Sequence, residues 1–422
     1  MSAVFSFINI VYLLFSCYNY TNVINKVILV KIEDIKKTNT SKILNGLRIN
    51  NNISKKDLSD IIKLSPSTVT EICAVLTEQN IIKELGAVNS DKPGRKKILL
   101  SINYDYKKII GIDIKRNLFT ISLTNLKGNI IFQQTIKTDT SEPYIFTEFL
   151  CESIKTLIKE NSLKKNDILG IGISIVGVVD AKNKATMSFI GFWNEAVPLG
   201  KIIEEKIEIP VFLNNNVKNL AIYQMFANNT LSDFFLLKYG TGVGGSLVIQ
   251  KQLFKNETPM SGEIGHSIVT DSEEICPVCK RKGCFEYNFS ETAIIKKIKK
   301  IFSKSETPIL FSMVSGKIEK ISFKEILKAG EQGEIAVLKL FEQAADNLSI
   351  IILNMFTLFY PEKIILCGEI FKNEVFLNYF FGFIHKKQIF DFKKIICISS
   401  ISAEEEKTAP VFSVLKEKFY MI

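Results

Sequence analysis

The feature that most restricts the fold is a piece of local grammar that occurs twice. Residues 108–138, "KIIGIDIKRNLFTISLTNLKGNIIFQQTIKT", hold three apolar or alternating runs separated by turn residues such as "NLKGN". Runs of this kind read as three consecutive antiparallel strands. Helical spacing in "IFTEFLCESIKTLIKEN" follows, then a buried strand in "ILGIGISIVGVVD", a helix at "LGKIIEEKI" and a strand in "PVFLNN". The theme returns at 234–253, "FFLLKYGTGVGGSLVIQKQL", as strand, glycine turn and strand. A long apolar helix, "EIAVLKLFEQAADNLSIIILNMFTLF", stops before Pro361 and leads into the strand "KIILCGEI". The apolar run near the end of that helix is too short to span a bilayer and belongs to a core. Two similar α/β lobes around a cleft are implied.

With 422 residues, 46 % hydrophobic and 23 % charged, the chain can form two or three domains with real cores, which excludes a disordered or fibrous protein. Of eight cysteines, Cys17, Cys73, Cys151, Cys367 and Cys397 are scattered in apolar surroundings, as buried thiols are. No disulfide framework emerges, so a reducing, cytoplasmic setting is expected. The formal net charge of +10 is compatible with a nucleic-acid partner without requiring one. Residues 1–30 carry no charge before Lys26 and are mostly apolar from Ala3 to Tyr18. They lack the basic start and small-residue cleavage site of a signal peptide, and the run falls short of the roughly 20 apolar residues of a spanning helix. An upstream extension outside the fold is the expected reading, and membrane contact by residues 3–18 the lesser one.

Residues 31–103 have the anatomy of a winged helix-turn-helix. Ile43, Leu44 and Leu47 share a helical face; Ser54 is placed to cap a second helix carrying Leu58, Ile61 and Ile62. After the turn "KLS", Ser65 and Pro66 open a third helix, with Val69, Ile72 and Leu76 inward and Ser67, Thr68 and Thr70 on its early outer face. Ser65, Ser67, Thr68 and Thr70 are thus the candidate major-groove contacts. "IIKELGAVNSDKPGRKKILLSIN" then turns at Asp91–Gly94 as a wing would, with Arg95, Lys96 and Lys97 placed to meet DNA phosphates or a groove edge.

One further stretch carries chemistry. "CPVCKRKGC", residues 276–284, lies ten residues beyond His266, one of only two histidines. His266, Cys276, Cys279 and Cys284 make a Cys₃His set suited to tetrahedral zinc with no open position, which describes a structural site.

Taken in order, "IIGIDI", "GIGISIVGVVD", "PVFLNNN", "YGTGVGGSLVI", "SGEIGH", "CPVCKRKGCFE" and "YPEKIILCGEI" resemble the ROK family of repressors, open reading frames and kinases. The resemblance covers about residues 35–422. It implies an actin/hexokinase-like body at 104–422, with a first lobe at about 104–225 plus the C-terminal helix and a second at about 226–400. A winged head on such a body looks like the sugar-responsive repressors of that family, those of xylose operons above all. The family pattern assigns Asn215, Asn216, Glu263, His266 and Glu286 to a sugar. Trp193 and Asn194, in "GFWNEAVPL", are candidates for an apolar face and a further amide there. Family kinases carry Glu-Asn-Asp where this chain has Asn214, Asn215 and Asn216, and an amide cannot serve as the base. They carry Asp-Ile-Gly-Gly-Thr where this chain has "DIKRN", so Lys115 and Arg116 replace glycines that let backbone approach a phosphate. The spacing of Cys276 and Cys279 is one longer than the family's usual interval, which makes Cys276 the least certain ligand. The expectation is a cytoplasmic, homodimeric, sugar-responsive transcriptional regulator, a repressor that binds operator DNA, holds zinc and is not an enzyme. Its rivals are a sugar kinase and a regulator that senses redox state through the zinc thiolates.

Overall fold

The computed structural model describes residues 32–88, 97–188, 190–254, 260–387 and 392–421. The apolar extension and the candidate wing residues Arg95 and Lys96 lie outside the described residues. The chain divides into two compact units: residues up to Asn103 together with those from Phe419 on, and Tyr104–Lys418.

The smaller unit contains helix α1 (Ile32–Asn50), strand β1 (Ile53–Ser54), helices α2 (Lys55–Ile62) and α3 (Pro66–Glu78), and strands β2 (Ile82–Val88) and β3 (Lys97–Ile102). The strands form an antiparallel sheet in the order β1-β3-β2. Ser54 caps α2 by accepting from the Asp57 amide, and Ser65 caps α3 by accepting from the Thr68 amide, each at 3.2 Å. Val69, Ile72 and Leu76 are buried with Ile43, Leu47 and Leu58, as the helical spacing predicts. Lys97, expected among the basic residues of the wing, instead places its ammonium 3.0 Å from both carboxylate oxygens of Asp57. Ser54 and Lys97 together hold that carboxyl below its usual range. Residues from Phe419 belong to this unit and not to the body: Ser41 donates to the Tyr420 carbonyl at 2.6 Å, and the Arg48 guanidinium lies 5.4 Å from the Tyr420 ring centre. A contact across 379 residues of chain leaves no local trace in the sequence.

In the larger unit the first sheet joins β4 (Lys108–Lys115), β5 (Leu118–Asn125), β6 (Ile130–Lys137), β7 (Ile168–Ile175) and, after the short pair β8 (Val179–Asp180) and β9 (Ala185–Thr186), β10 (Val211–Asn215). Their order is β10-β7-β4-β5-β6, with the first three parallel and the rest antiparallel. Helices α4 (Pro143–Glu160), α5 (Leu199–Ile207) and α6 (Asn216–Ala227) complete this half. The second half carries β11 (Phe234–Tyr239), β12 (Val243–Ile249), β13 (Gln252–Leu253), helices α7 (Phe285–Phe289), α8 (Glu291–Ile301), α9 (Pro308–Met313), α10 (Phe323–Glu331) and α11 (Ile335–Phe359), then β14 (Lys363–Cys367), α12 (Glu374–Lys387), β15 (Ile396–Ile398) and α13 (Ala403–Val414). Its sheet runs β13-β12-β11-β14-β15.

Period-two alternation explains the layering. In β4 and β7, Ile110, Ile112, Ile114, Ile171, Ile173 and Ile175 face one core together with α4 and α5. The opposite face carries Gly111, Asp113, Gly170, Gly172 and Ser174. Helix α13 lies directly on this small-residue face: a Cβ on Gly172 would stand 2.0 Å from the Pro410 carbonyl oxygen, and one on Gly111 2.7 Å from Val411. Ala409 of α13 and Val217, Leu220 and Ala221 of α6 also join the core against Phe234, Leu236 and Ile365 of the second sheet. One helical layer therefore serves both sheets.

Replacing Gly172 with Ala should force α13 off the sheet and destabilise the body by about 1–3 kcal/mol, the usual range for overpacking a tight core. Gly382, exposed on the outer side of helix α12, has nothing within 4 Å of a Cβ, and its replacement by Ala should be neutral or raise stability by up to about 1 kcal/mol. Urea denaturation of the two variants beside the parent protein checks both.

Candidate functional site

Two turns that lie back to back position Glu263, His266 and, through the Val243 amide, Glu286. The turn between β11 and β12 supplies "GTGVGG", residues 240–245, and the segment 261–266 supplies "SGEIGH". The Gly245 amide donates to the Gly262 carbonyl at 2.7 Å. Gly262 has φ +102°, and a Cβ there would meet the Gly245 carbonyl oxygen at 2.2 Å. A Cβ on Gly265 would meet the Val243 carbonyl oxygen at 2.3 Å, and one on Gly242 would stand 3.0 Å from Glu286 Oε2. Gly244 and Gly245 admit Val217 and Phe235 in the same way. These glycines are thus needed for close packing of the chain on itself.

Glu286, in the first turn of α7, is anchored from that turn: its Oε2 accepts from the Val243 amide at 2.6 Å. Its other oxygen lies 3.9 Å from His266 Nε2. Burial raises the pKa of the Glu286 carboxyl, against the opposing effect of the Val243 amide. Glu263 is pushed up to about 7, first by burial and then by the charge of Glu286, with Lys218 of α6 opposing. His266 is 2 % exposed, and its Nε2 has no hydrogen-bond partner among the described residues. Two carboxyls and an imidazole therefore converge on one place, with hydrogen-bonding capacity left over. Such a group can give and take hydrogen bonds from adjacent hydroxyls.

The other ring nitrogen of His266 faces the cysteines. Nδ1 lies 3.8 Å from Cys276 Sγ, so the cysteine with the irregular spacing sits beside the imidazole. Ligand atoms of His266, Cys276, Cys279 and Cys284 all lie within 4.8 Å of one another. Sγ of Cys279 and Cys284 are 3.1 Å apart, well beyond the about 2.05 Å of a disulfide. Gly283, at φ +74°, lets the knuckle close where a Cβ would collide with the Thr270 carbonyl oxygen at 2.0 Å. The set fits a metal ion held by Nδ1 and three thiolates, with Nε2 left toward Glu286.

The asparagines are distributed less simply. Asn215 caps α6: its Oδ1 accepts from the Val217 amide at 2.8 Å and its Nδ2 donates to the Gly177 carbonyl at 2.7 Å. Asn214 donates to Ser413 of α13 at 3.2 Å. Asn216 is the first residue of α6 and is partly accessible. Asn194 is exposed, and no contact joins it to the carboxyls among the described residues. Its neighbour Trp193 does not offer a face to a ligand. It is 5 % exposed, packs in the first-lobe core and donates from Nε1 to the Thr140 carbonyl at 2.7 Å.

Four charged residues that do not form a sequence motif meet at the C-terminal ends of β4 and β11. Lys115 Nζ lies 3.5 Å from Asp113 Oδ2 and 3.8 Å from Glu406 Oε1, and Lys238 also donates to Glu406. Asp113 is buried, and its Oδ2 accepts no hydrogen bond among the described residues, so burial raises its pKa. Glu406 goes the other way: Lys238 and then Lys115 overcome its burial and lower its pKa. Alternation along β4 and the register of α13 could each have been read locally; their meeting could not.

In the head, Ser65, Ser67, Thr68 and Thr70 lie together on the first turn and a half of α3. Ser65 Oγ is 2.9 Å from Ser67 Oγ and 2.8 Å from Thr68 Oγ1, and Thr70 donates back to the Pro66 carbonyl at 2.7 Å.

Residues 37–83 match the winged helix-turn-helix DNA-binding family, and residues 109–414 match the ROK family. The xylose repressor of Caldicellulosiruptor bescii is 26 % identical over 348 residues, 82 % of this chain and 86 % of that protein. The xylose repressor of Bacillus subtilis is 26 % identical over 342 residues, 80 % and 84 % of the two chains. NagC of Escherichia coli, a DNA-binding transcriptional dual regulator, is 22 % identical over 344 residues, 80 % and 82 %. Among solved structures, a ROK family transcriptional regulator described as a homologue of E. coli Mlc has a TM-score of 0.78 at 20 % identity, over 92 % of this chain and 97 % of that one. A ROK family glucokinase from Streptomyces griseus has a TM-score of 0.59 at 20 % identity, over 72 % and 98 %. With more than half of its residues matched to that family and a DNA-binding module before them, this chain is a ROK family protein with an N-terminal winged helix-turn-helix.

Proposed function

We propose that the chain is a cytoplasmic, sugar-responsive repressor of a carbohydrate-utilisation operon that binds operator DNA as a homodimer, contains structural zinc and has no kinase activity. One contrast carries this reading. The carboxyl and imidazole groups suited to sugar hydroxyls stand together at Glu263, His266 and Glu286, whereas the groups a sugar kinase needs are replaced. Asn216 stands where the family pattern has the catalytic base, and Lys115 and Arg116 stand where it has the phosphate-loop glycines, Lys115 beside Asp113 and Glu406. The xylose and N-acetylglucosamine repressors among its relatives support the same reading, with xylose as the first sugar to test.

His266 Nδ1 and the thiolates of Cys276, Cys279 and Cys284 would hold zinc with no open position, so the metal would supply cross-linking and no chemistry. Ligation through Nδ1 would leave the His266 proton on Nε2, from where His266 can donate to a sugar hydroxyl between it and Glu286. Glu263 and Glu286 accept from adjacent hydroxyls, while Asn216 adds an amide. Asn215, engaged at both ends by backbone, acts mainly by fixing the start of α6. Effector binding shifts the population of lobe arrangements, and with it the spacing of the two heads of a dimer on half-sites about one helical turn apart.

The Cys284→Ser variant should lose zinc and most of its inducer response while retaining operator binding, together with some loss of thermal stability. Zinc content, melting temperature and inducer titration of the DNA complex on one preparation check this. Retention of full inducer response without zinc would overturn the role given to the metal. DNA release by chelator or oxidant, with no response to any sugar, would point to the thiol sensor instead.

ATP turnover in the presence of hexoses and pentoses should be absent from the parent protein. The Asn216→Asp variant should remain inactive, because Lys115 and Arg116 still occupy the phosphate loop. Sugar-dependent ADP release by the parent protein, measured with a coupled assay, would refute the non-enzyme reading.

A further inference from the structure

We propose that Glu71 determines base specificity, by accepting a hydrogen bond from the N4 amino group of a cytosine in the major groove. This rests on the regulator reading given above. Helix α3 is thirteen residues long, "PSTVTEICAVLTE", and contains no Lys, Arg, Asn or Gln. The side chains that most often read guanine and adenine directly are therefore missing from the helix that would enter the groove. Its charged residues are Glu71 and Glu78. Glu78 ends the helix, seven residues beyond Glu71 and so roughly 10 Å further along its axis. Glu71 is exposed, one turn after Ser67 on the same face and next to Thr70. Its carboxylate has no hydrogen bond or ion pair among the described residues.

The hydroxyls beside it narrow what this face can read. Thr70 spends its proton on the Pro66 carbonyl, so it faces outward as an acceptor. Ser65, Ser67 and Thr68 use two of their three hydroxyl protons in contacts with one another at 2.8 and 2.9 Å, which leaves one donor among them. With Glu71 an obligate acceptor, the surface favours donors on the base edges. Two bases present a donor in the major groove, cytosine at N4 and adenine at N6. Adenine sets the N7 lone pair beside its amino group, which repels a carboxylate, whereas cytosine has no acceptor beside N4 on that edge. Cytosine is the better partner.

Electrostatics give the contact its discriminating power. A carboxylate carried between phosphate strands lies within a Debye length of several negative charges, so Glu71 weakens binding to DNA in general. The loss is offset only where an amino group meets it. Attraction to phosphates must come from elsewhere in the head, where Lys56 and Lys63 are exposed. Lys55 and Lys97 are already paired with Glu84, at 3.6 Å, and Asp57, at 3.0 Å.

The test is selection from a random-sequence duplex pool by the full-length protein, the Glu71→Gln variant and the Glu71→Ala variant, followed by titration of the recovered sequences. Melting curves accompany each preparation; the site is exposed, and Gln has nearly the shape of Glu. The parent protein should recover half-sites with a cytosine at one position that cannot be replaced without about a tenfold loss of affinity, within the range for a good base contact. Glu71→Gln should move that position to adenine, which Gln reads through N6 and N7. Glu71→Ala should lose preference there alone, and should bind unrelated DNA several-fold more tightly at low salt. Identical recovered sequences from all three proteins would overturn the assignment, as would a parent half-site without the conserved cytosine. If the parent protein recovers no common sequence at all, the regulator reading falls, and the role of Glu71 with it.

Discussion

The approach of helix α13 to the small-residue face of the first sheet is the contact on which the body depends. Helices normally stay about 10 Å from a sheet because side chains stand between them. Here Gly111, Gly170 and Gly172 remove those side chains, and the Pro410 carbonyl and the side chains of Val411 and Val414 come down onto the strands. Because α6 shares the layer and packs on the second sheet, the two sheets are joined through helices and not through each other. The charged residues at the cleft inherit their positions from this layer. Asp113 is on the glycine face of β4, Lys238 is on the corresponding face of β11, and Glu406 is in the first turn of α13, so their meeting follows from the packing.

A second close approach, between the turns at 240–245 and 261–266, does for the site what α13 does for the fold. It brings a backbone amide to Glu286 and sets His266 against the cysteine knuckle. A glycine-rich turn of this kind is easily read as a cradle for phosphates. In this chain its glycines face Glu286, Val217, Phe235 and the Gly262 backbone, which accounts for them without a ligand. The metal quartet and the sugar candidates are then one object. A single imidazole has one nitrogen toward Cys276 and the other toward Glu286, so whatever orders the knuckle also orients the group that would face a sugar.

If Glu71 reads a base, the head separates affinity from specificity. Its recognition helix is acidic and hydroxylated, and the lysine closest to the expected wing contacts is bound to Asp57. Net charge alone would have placed attraction and recognition on the same surface. Tyr420 packs within this same unit against Ser41 and Arg48.

Much of this was legible from order and spacing. Period-two alternation located the strands, Ser54, Ser65 and Pro66 located the helix starts in the head, and one histidine near three cysteines pointed to a quartet that could hold a metal ion, because these signals act over a few residues at a time. The helices between 291 and 331 also carry local signals, among them the Ser290 cap and Pro308 at the start of α9. Other features had no local signal. The sequence alone could not say that Trp193 is consumed by the core, that Asn215 is held by Gly177, that Lys115 pairs with Glu406 or that Tyr420 belongs to the head. Each depends on groups between 38 and 379 residues apart, brought together only when the layers close. Sequence determined which elements form and which residue types could do the chemistry; tertiary structure decided which of those side chains remain free to do it, because burial and long-range pairing consume hydrogen-bonding capacity that spacing cannot count.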